Sequence, residues 1–142
     1  MNSYQTQKLG LFNLIILRLI KTPLNFALRL FLHLELPRNS FSKKIRLPHP
    51  YNIIINDCAT IGSNCTIFHQ VTIGSQREIS LNSGSPIIGN NVVIFPNVVI
   101  VGNIFIGDNS VIGAGSIVTK SMPKNSVIAG NPAKVLRKIN EI

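Results

Sequence analysis

Side chains able to exchange protons near neutrality or act as strong nucleophiles are scarce in this 142-residue chain: three His, five Asp or Glu and two Cys. His49 stands out among them. It lies in LPHPYNIII (47–55), between Pro48 and Pro50 and directly before an apolar run. A neutral imidazole at hydrogen-bond distance can take the proton of a weakly nucleophilic hydroxyl as its oxygen attacks a carbonyl. Such a base works better when a carboxylate accepts its second ring N–H, which fixes the tautomer and steadies the imidazolium. The available acids are Glu35, Asp57, Glu78, Asp108 and Glu141. His69 follows His49 by twenty residues and is either a rival base or a side chain lining the same site. A zinc centre needs three converging ligands, and His33 is remote from the pattern that surrounds the other two, so no metal site is expected. Cys58 and Cys65 are too few for a disulfide framework.

The elements that position these residues show in the spacing of branched side chains. Ile55, Ile61, Ile67 and Ile73 stand six apart, and Ile88, Ile94, Ile100, Ile106, Ile112 and Val118 resume the same step. A smaller residue comes four positions after most of them: Ala59, Cys65, Val71, Val92, Val98, Ile104, Ser110 and Ser116. Gly62, Gly74, Gly89, Gly107 and Gly113 follow the repeating Ile directly. A period of six fits neither an amphipathic helix nor continuous two-residue alternation. It fits a solenoid, one flat strand and one corner per hexad, with the branched residue inward and Gly or Asn permitting the bend. Three hexads close a coil, so eighteen residues return to the same edge about 4.8 Å further on. His49 and His69 then fall near each other. The step from Ile73 to Ile88 is too long, and the polar stretch SQREISLNSGS (75–85) is expected to protrude as a loop at about 75–86.

Charge is unevenly spread. The net charge is +9, and residues 1–46 carry eight basic side chains (Lys8, Arg18, Lys21, Arg29, Arg38, Lys43, Lys44, Arg46) against Glu35 alone. Two short helices, roughly 7–21 and 23–34 with Pro23 in the first turn of the second, fit this basic and apolar stretch. No uninterrupted apolar run approaches the ~20 residues of a membrane span. The helices' apolar sides are expected to pack on the protein or a neighbouring subunit, with peripheral membrane contact as the second reading. Aromatic interleaving and nucleic-acid motifs are missing, which argues against nucleic acid as a partner. The expected organisation is a basic helical segment over 1–46 and a solenoid domain with a C-terminal cap over 47–142. The expected compartment is the cytoplasm, including the inner face of its membrane, since no cleavable secretory signal is read.

The stretches LPHPYNIII (47–55), ATIGSNCTIFHQVTIGS (59–75), PIIGNNVVI (86–94), IVGNIFIGDNSVIGAGSIVTK (100–120) and AGNPAKVLRK (129–138) together resemble the hexapeptide-repeat acyltransferases. Within that family they are similar to serine acetyltransferases and polysaccharide O-acetyltransferases. The resemblance implies an all-β solenoid, a left-handed parallel β-helix assembling as a homotrimer. It also implies acetyl-CoA as co-substrate, with no permanently bound cofactor, and direct transfer to a hydroxyl with His49 as general base. Glu35 is the implied orienting carboxylate, one residue out of register with the family's acid, and His69 and Tyr51 line the acceptor side. Thr72, Gly74, Pro96, Ala114, Thr119 and Lys120 would line a groove for the pantetheine arm between subunits, and Lys134 would lie near the adenine end. Pro48 stands where serine acetyltransferases carry an acid that contacts their amino-acid substrate, and their Arg–His pair after the loop is absent. A zwitterionic acceptor needs charged partners. A sugar or glycan hydroxyl is therefore the expected acceptor. Serine or an antibiotic is the enzymatic alternative, and a non-catalytic scaffold or binding solenoid the other.

Overall fold

A computed structural model describes residues 31–36, 44–75 and 84–139 of the chain. The chain divides into two compact units, Met1–His33 and Leu34–Ile142. The expected helices fall almost wholly outside the described residues, as does the middle of the polar loop; Phe31 and Leu32 are helical. Among the described residues no helix is long and apolar enough to cross a membrane.

The second unit is a three-faced parallel β-helix. Its first face stacks β1 (Ile54–Ile55), β4 (Thr72–Gly74), β7 (Val99–Val101) and β10 (Ile117–Val118). The second stacks β2 (Thr60–Ile61), β5 (Ile87–Ile88) and β8 (Phe105–Ile106). The third stacks β3 (Thr66–Ile67), β6 (Val93–Ile94), β9 (Val111–Ile112) and β11 (Ser126–Gly130), with β12 (Ala133–Lys138) folding back antiparallel on β11. Eighteen residues separate partners such as Ile54↔Thr72 and Val93↔Val111. Twenty-seven separate Thr60↔Ile87 and Thr72↔Val99, so one nine-residue insertion lies between β4 and β5.

All ten residues of the predicted ladder point inward and are at most 3% exposed. Each buried Ile contributes roughly 1.5–3 kcal/mol of transfer free energy. Short strands gain little from propensity, so this stacking holds the coils together. The smaller second positions are buried too, except Ile104, which is half-buried after a tight turn closed by its N–H on the Gly102 carbonyl. The core also continues where no period was read, through Ile53, Met122 and Ile128.

Two expectations change. The domain starts earlier than residue 47: Leu34 is buried, Glu35 pairs with Ile54 and Arg46 with Thr66. These partners stand nineteen and twenty residues apart, not eighteen, so the first coil has no regular period to read. The bends, moreover, are made chiefly by Asn and Gln. Asn52, Asn64, Gln70, Asn91, Asn97, Asn109 and Asn125 occupy the left-handed region, which Asn tolerates, and Gly115 alone serves the same purpose in its column. Gly62, Gly89 and Gly107 allow close approach instead. A Cβ on Gly62 would overlap the Gly89 carbonyl, and one on Gly107 would overlap the Lys124 amide. Along the same corner an amide ladder runs from Asn64 Nδ2 to Asn91 Oδ1 (3.3 Å), Asn91 Nδ2 to Asn109 Oδ1 (2.9 Å) and Asn109 Nδ2 to Asn125 Oδ1 (3.0 Å).

Gly62→Ala should therefore destabilise the domain by about 1–3 kcal/mol, as overpacking against immovable backbone does. Gly74→Ala should be nearly silent, because its Cβ would meet only Val101 at 3.8 Å. Thermal unfolding of the pair checks this: equal midpoints would show that the coils can shift apart.

Candidate active site

The corner between the third and first faces holds His49 and His69. In regular coils six residues lead from one face to the other, as from Thr66 to Thr72 and Val93 to Val99. From Arg46 to Ile54 the chain uses eight. The two extra residues lie before Tyr51, whose carbonyl accepts from Gln70 N at 3.0 Å in the ordinary corner register. They form an outward bulge, and His49 sits on it. Pro48 and Pro50 restrict the backbone on both sides. A 2.8 Å bond from Tyr51 N to the His49 carbonyl closes a tight turn that fixes the residue.

On the next coil His69 occupies the apex of the same corner. The two imidazoles lie 6.0 Å apart, centroid to centroid, nearly edge to face at 72°. Phe68 lies 6.4 Å from the His49 ring and stacks on Phe95 of the following coil at 5.2 Å with planes 4° apart. His49 is exposed and His69 half-buried, yet His69 Nδ1 is enclosed and has no hydrogen-bond partner.

The other expected site residues distribute along this corner and the face beyond it. Tyr51, Pro96 and Ala114 share the corner with the two histidines, Pro96 accepting from Gly115 N at 3.0 Å. Thr72 and Gly74 lie in β4 on the adjoining face. Glu35 occupies the first rung of that face, its N–H donating to Ile53 O at 2.8 Å and its carbonyl accepting from Ile55 N at 2.9 Å. Thr119 and Lys120 are exposed at the opposite edge of that face, after β10, and Lys134 is exposed on β12. The arrangement brings His49, His69, Tyr51, Pro96 and Ala114 onto one edge, with Lys134 further along the solenoid, paired with Ala129 just past Ile128, and leaves Thr119 and Lys120 at the opposite edge of the first face. Phe68 and Phe95 were not anticipated as site residues. The signal was available: each follows a ladder Ile where five other hexads place Gly.

Among the described residues no group of three His, Cys, Asp or Glu side chains is placed to hold a metal. Neither thiol lies at the corner. Cys65 is one of the smaller inward residues, its Sγ donating to Gly89 O at 3.2 Å, and Cys58 is exposed on another corner. Burial raises the Cys65 thiol pKa, partly offset by a backbone hydrogen bond at Val92.

Residues 85–120 match the bacterial transferase hexapeptide (six repeats) family. The chain is 37% identical over 105 residues to serine acetyltransferase 2 of Arabidopsis thaliana, covering 74% of this chain and 32% of that protein. It is 38% identical over 103 residues to the serine acetyltransferase of Buchnera aphidicola, covering 72% and 40%. The crystal structure of Neisseria gonorrhoeae serine acetyltransferase superposes with a TM-score of 0.63 at 35% identity, over 69% of this chain and 37% of that one. The chain thus spans about a third to two-fifths of the length of these relatives. Residues 85–120 thus match the hexapeptide-repeat transferases, and the coils have the left-handed parallel β-helix fold of these relatives. The relatives are named as serine acetyltransferases, which does not single out a polysaccharide-modifying branch.

A raised thiol pKa favours the protonated fold, so its contribution holds below the unfolded thiol's pKa of about 8.5 and declines as pH rises beyond it. Iodoacetamide at pH 7.5 should label Cys58 alone in the folded protein, as peptide mass spectrometry would show. Labelling of Cys65 at a similar rate would mean that the coils open readily.

Proposed function

We propose that this protein transfers an acetyl group from acetyl-CoA to a hydroxyl, with His49 as the general base. The observation that supports this best is an exposed imidazole pinned beside a second one on a widened corner of a hexapeptide-repeat β-helix. Its relatives' names point to acetyl transfer. His49 takes the hydroxyl proton as the oxygen attacks the thioester carbon, and the tetrahedral intermediate then expels the thiolate of CoA. That thiolate recovers the proton from the imidazolium. Holding both reactants in register on a rigid edge removes much of the entropic cost of the encounter. Glu35 as the orienting carboxylate, the pantetheine arm along Pro96, Ala114, Thr72 and Gly74, and a homotrimer whose interfaces complete the groove belong to the same reading.

The acceptor has two candidates. The names of the relatives support L-serine. Pro48, standing beside His49 where a charged side chain would hold an ammonium group, supports a neutral sugar hydroxyl. Turnover of L-serine against a panel of methyl hexopyranosides, followed by CoA release, separates them.

His49→Ala should lower kcat/KM by about a hundredfold or more, the scale of a lost general base, while acetyl-CoA binding and the far-UV spectrum stay unchanged. Undiminished turnover in this variant would remove His49 from the mechanism. Failure of the parent protein to bind acetyl-CoA would favour a non-catalytic solenoid.

A further inference from the structure

Among the described residues, one buried side-chain polar atom has no hydrogen-bond partner, and it belongs to the imidazole beside the proposed base: His69 Nδ1. A buried N–H without an acceptor is costly, and this atom is enclosed. A neutral imidazole carries one N–H, on either nitrogen. With Nδ1 enclosed and partnerless, the less costly tautomer holds its proton on Nε2 and leaves Nδ1 as a bare lone pair. The corner thus selects one tautomer of His69, and that tautomer offers a hydrogen-bond donor next to His49.

A donor is needed there. When a hydroxyl attacks a thioester, the carbonyl π electrons move onto oxygen, and the resulting anion must be stabilised where it forms. Backbone amides usually serve, but six of those at this corner are already committed. Tyr51 N donates to His49 O, Gln70 N to Tyr51 O, Asn97 N to His69 O and Gly115 N to Pro96 O. Those of Phe68 and Phe95 donate to Ile94 O and Ile112 O.

We infer that His69 is a second catalytic residue, its Nε2–H donating to the thioester carbonyl oxygen while His49 accepts the hydroxyl proton. The inference rests on the acetyl-transfer reading of this corner. The acceptor O–H bond breaks, its proton goes to His49, and the new C–O bond forms as the carbonyl oxygen becomes anionic against His69. Collapse re-forms the carbonyl, breaks the C–S bond and returns the proton from His49 to sulfur. His69 keeps its own proton throughout.

The first test needs no acceptor. Long-range 1H–15N correlation of the histidine side chains, assigned with His69→Gln, should show His69 protonated on Nε2 and bare on Nδ1, with the Nε2 resonance moving when acetyl-CoA is added. A proton on Nδ1, or an Nε2 signal indifferent to acetyl-CoA, overturns the inference. The second test is kinetic, with whichever of L-serine or the hexopyranosides the parent protein turns over. His69→Leu should lower kcat by about 10²–10³, the scale of one lost oxyanion donor, with KM for acetyl-CoA little changed and the shape of the pH profile retained. His69→Gln, which keeps an N–H donor, should recover at least tenfold of that loss. An unaltered kcat in His69→Leu refutes the role, and so does loss of the pH-dependent limb, which would make His69 the base. Failure of the parent protein to bind acetyl-CoA or turn over any acceptor would instead defeat the acetyl-transfer reading while leaving the tautomer result standing.

Discussion

Every functional feature of this molecule depends on one packing relation, the stacking of a branched inward side chain on its equivalent in the next coil. Ile55, Ile73, Ile100 and Val118 form one such column, and Ile67, Ile94, Ile112 and Ile128 another. Backbone bonds run between the same coils, as from Ile54 N to Val71 O at 3.0 Å and from Thr72 N to Val98 O at 2.9 Å. Because the side chains interlock at a fixed six-residue step, the register cannot slip by one without turning the buried set outward. Residues far apart in sequence are thereby held at defined distances across a corner. The catalytic geometry is a by-product of the core.

The site itself occupies the least regular coil. Its first rung departs from the eighteen-residue step, and its corner carries two residues more than the others. A regular corner would turn the chain inward at the position that His49 takes on the bulge. Regularity supplies stiffness in the coils above, and one departure from it supplies the reach of the imidazole. His69, by contrast, sits on a corner of ordinary register, and its Nδ1 is enclosed and unpaired. On the proposed reading, one imidazole moves a proton and the other keeps its own.

Much of this was legible in the sequence. The ladder positions were readable because only one side-chain class tolerates a closely stacked interior, and the expected proximity of His49 and His69 followed from counting coils. The first coil was not readable, since Glu35 and Arg46 reach their partners by irregular intervals and carry no repeat. The expectation that Gly or Asn permits the bends holds for Asn and for Gly115, but not for most of the glycines that follow a ladder Ile. Gly62, Gly89 and Gly107 relieve crowding between coils, whereas asparagine residues, able to occupy the left-handed region and to bond along the corner, make most of the turns. The Phe68–Phe95 stack was overlooked because a hexad template scores the inward positions and not those just beyond them. Identity of the acceptor is a matter of a few outward side chains, which periodicity does not constrain.

The central claim is that this solenoid corner holds the thioester of acetyl-CoA against two imidazoles. Bromoacetyl-CoA, whose reactive carbon sits where the acetyl group would lie, tests it directly when applied to the Cys58→Ser protein. Peptide mapping should find alkylation on His49 or His69, suppressed by excess CoA. Labelling confined to other positions, or insensitive to CoA, would contradict the account.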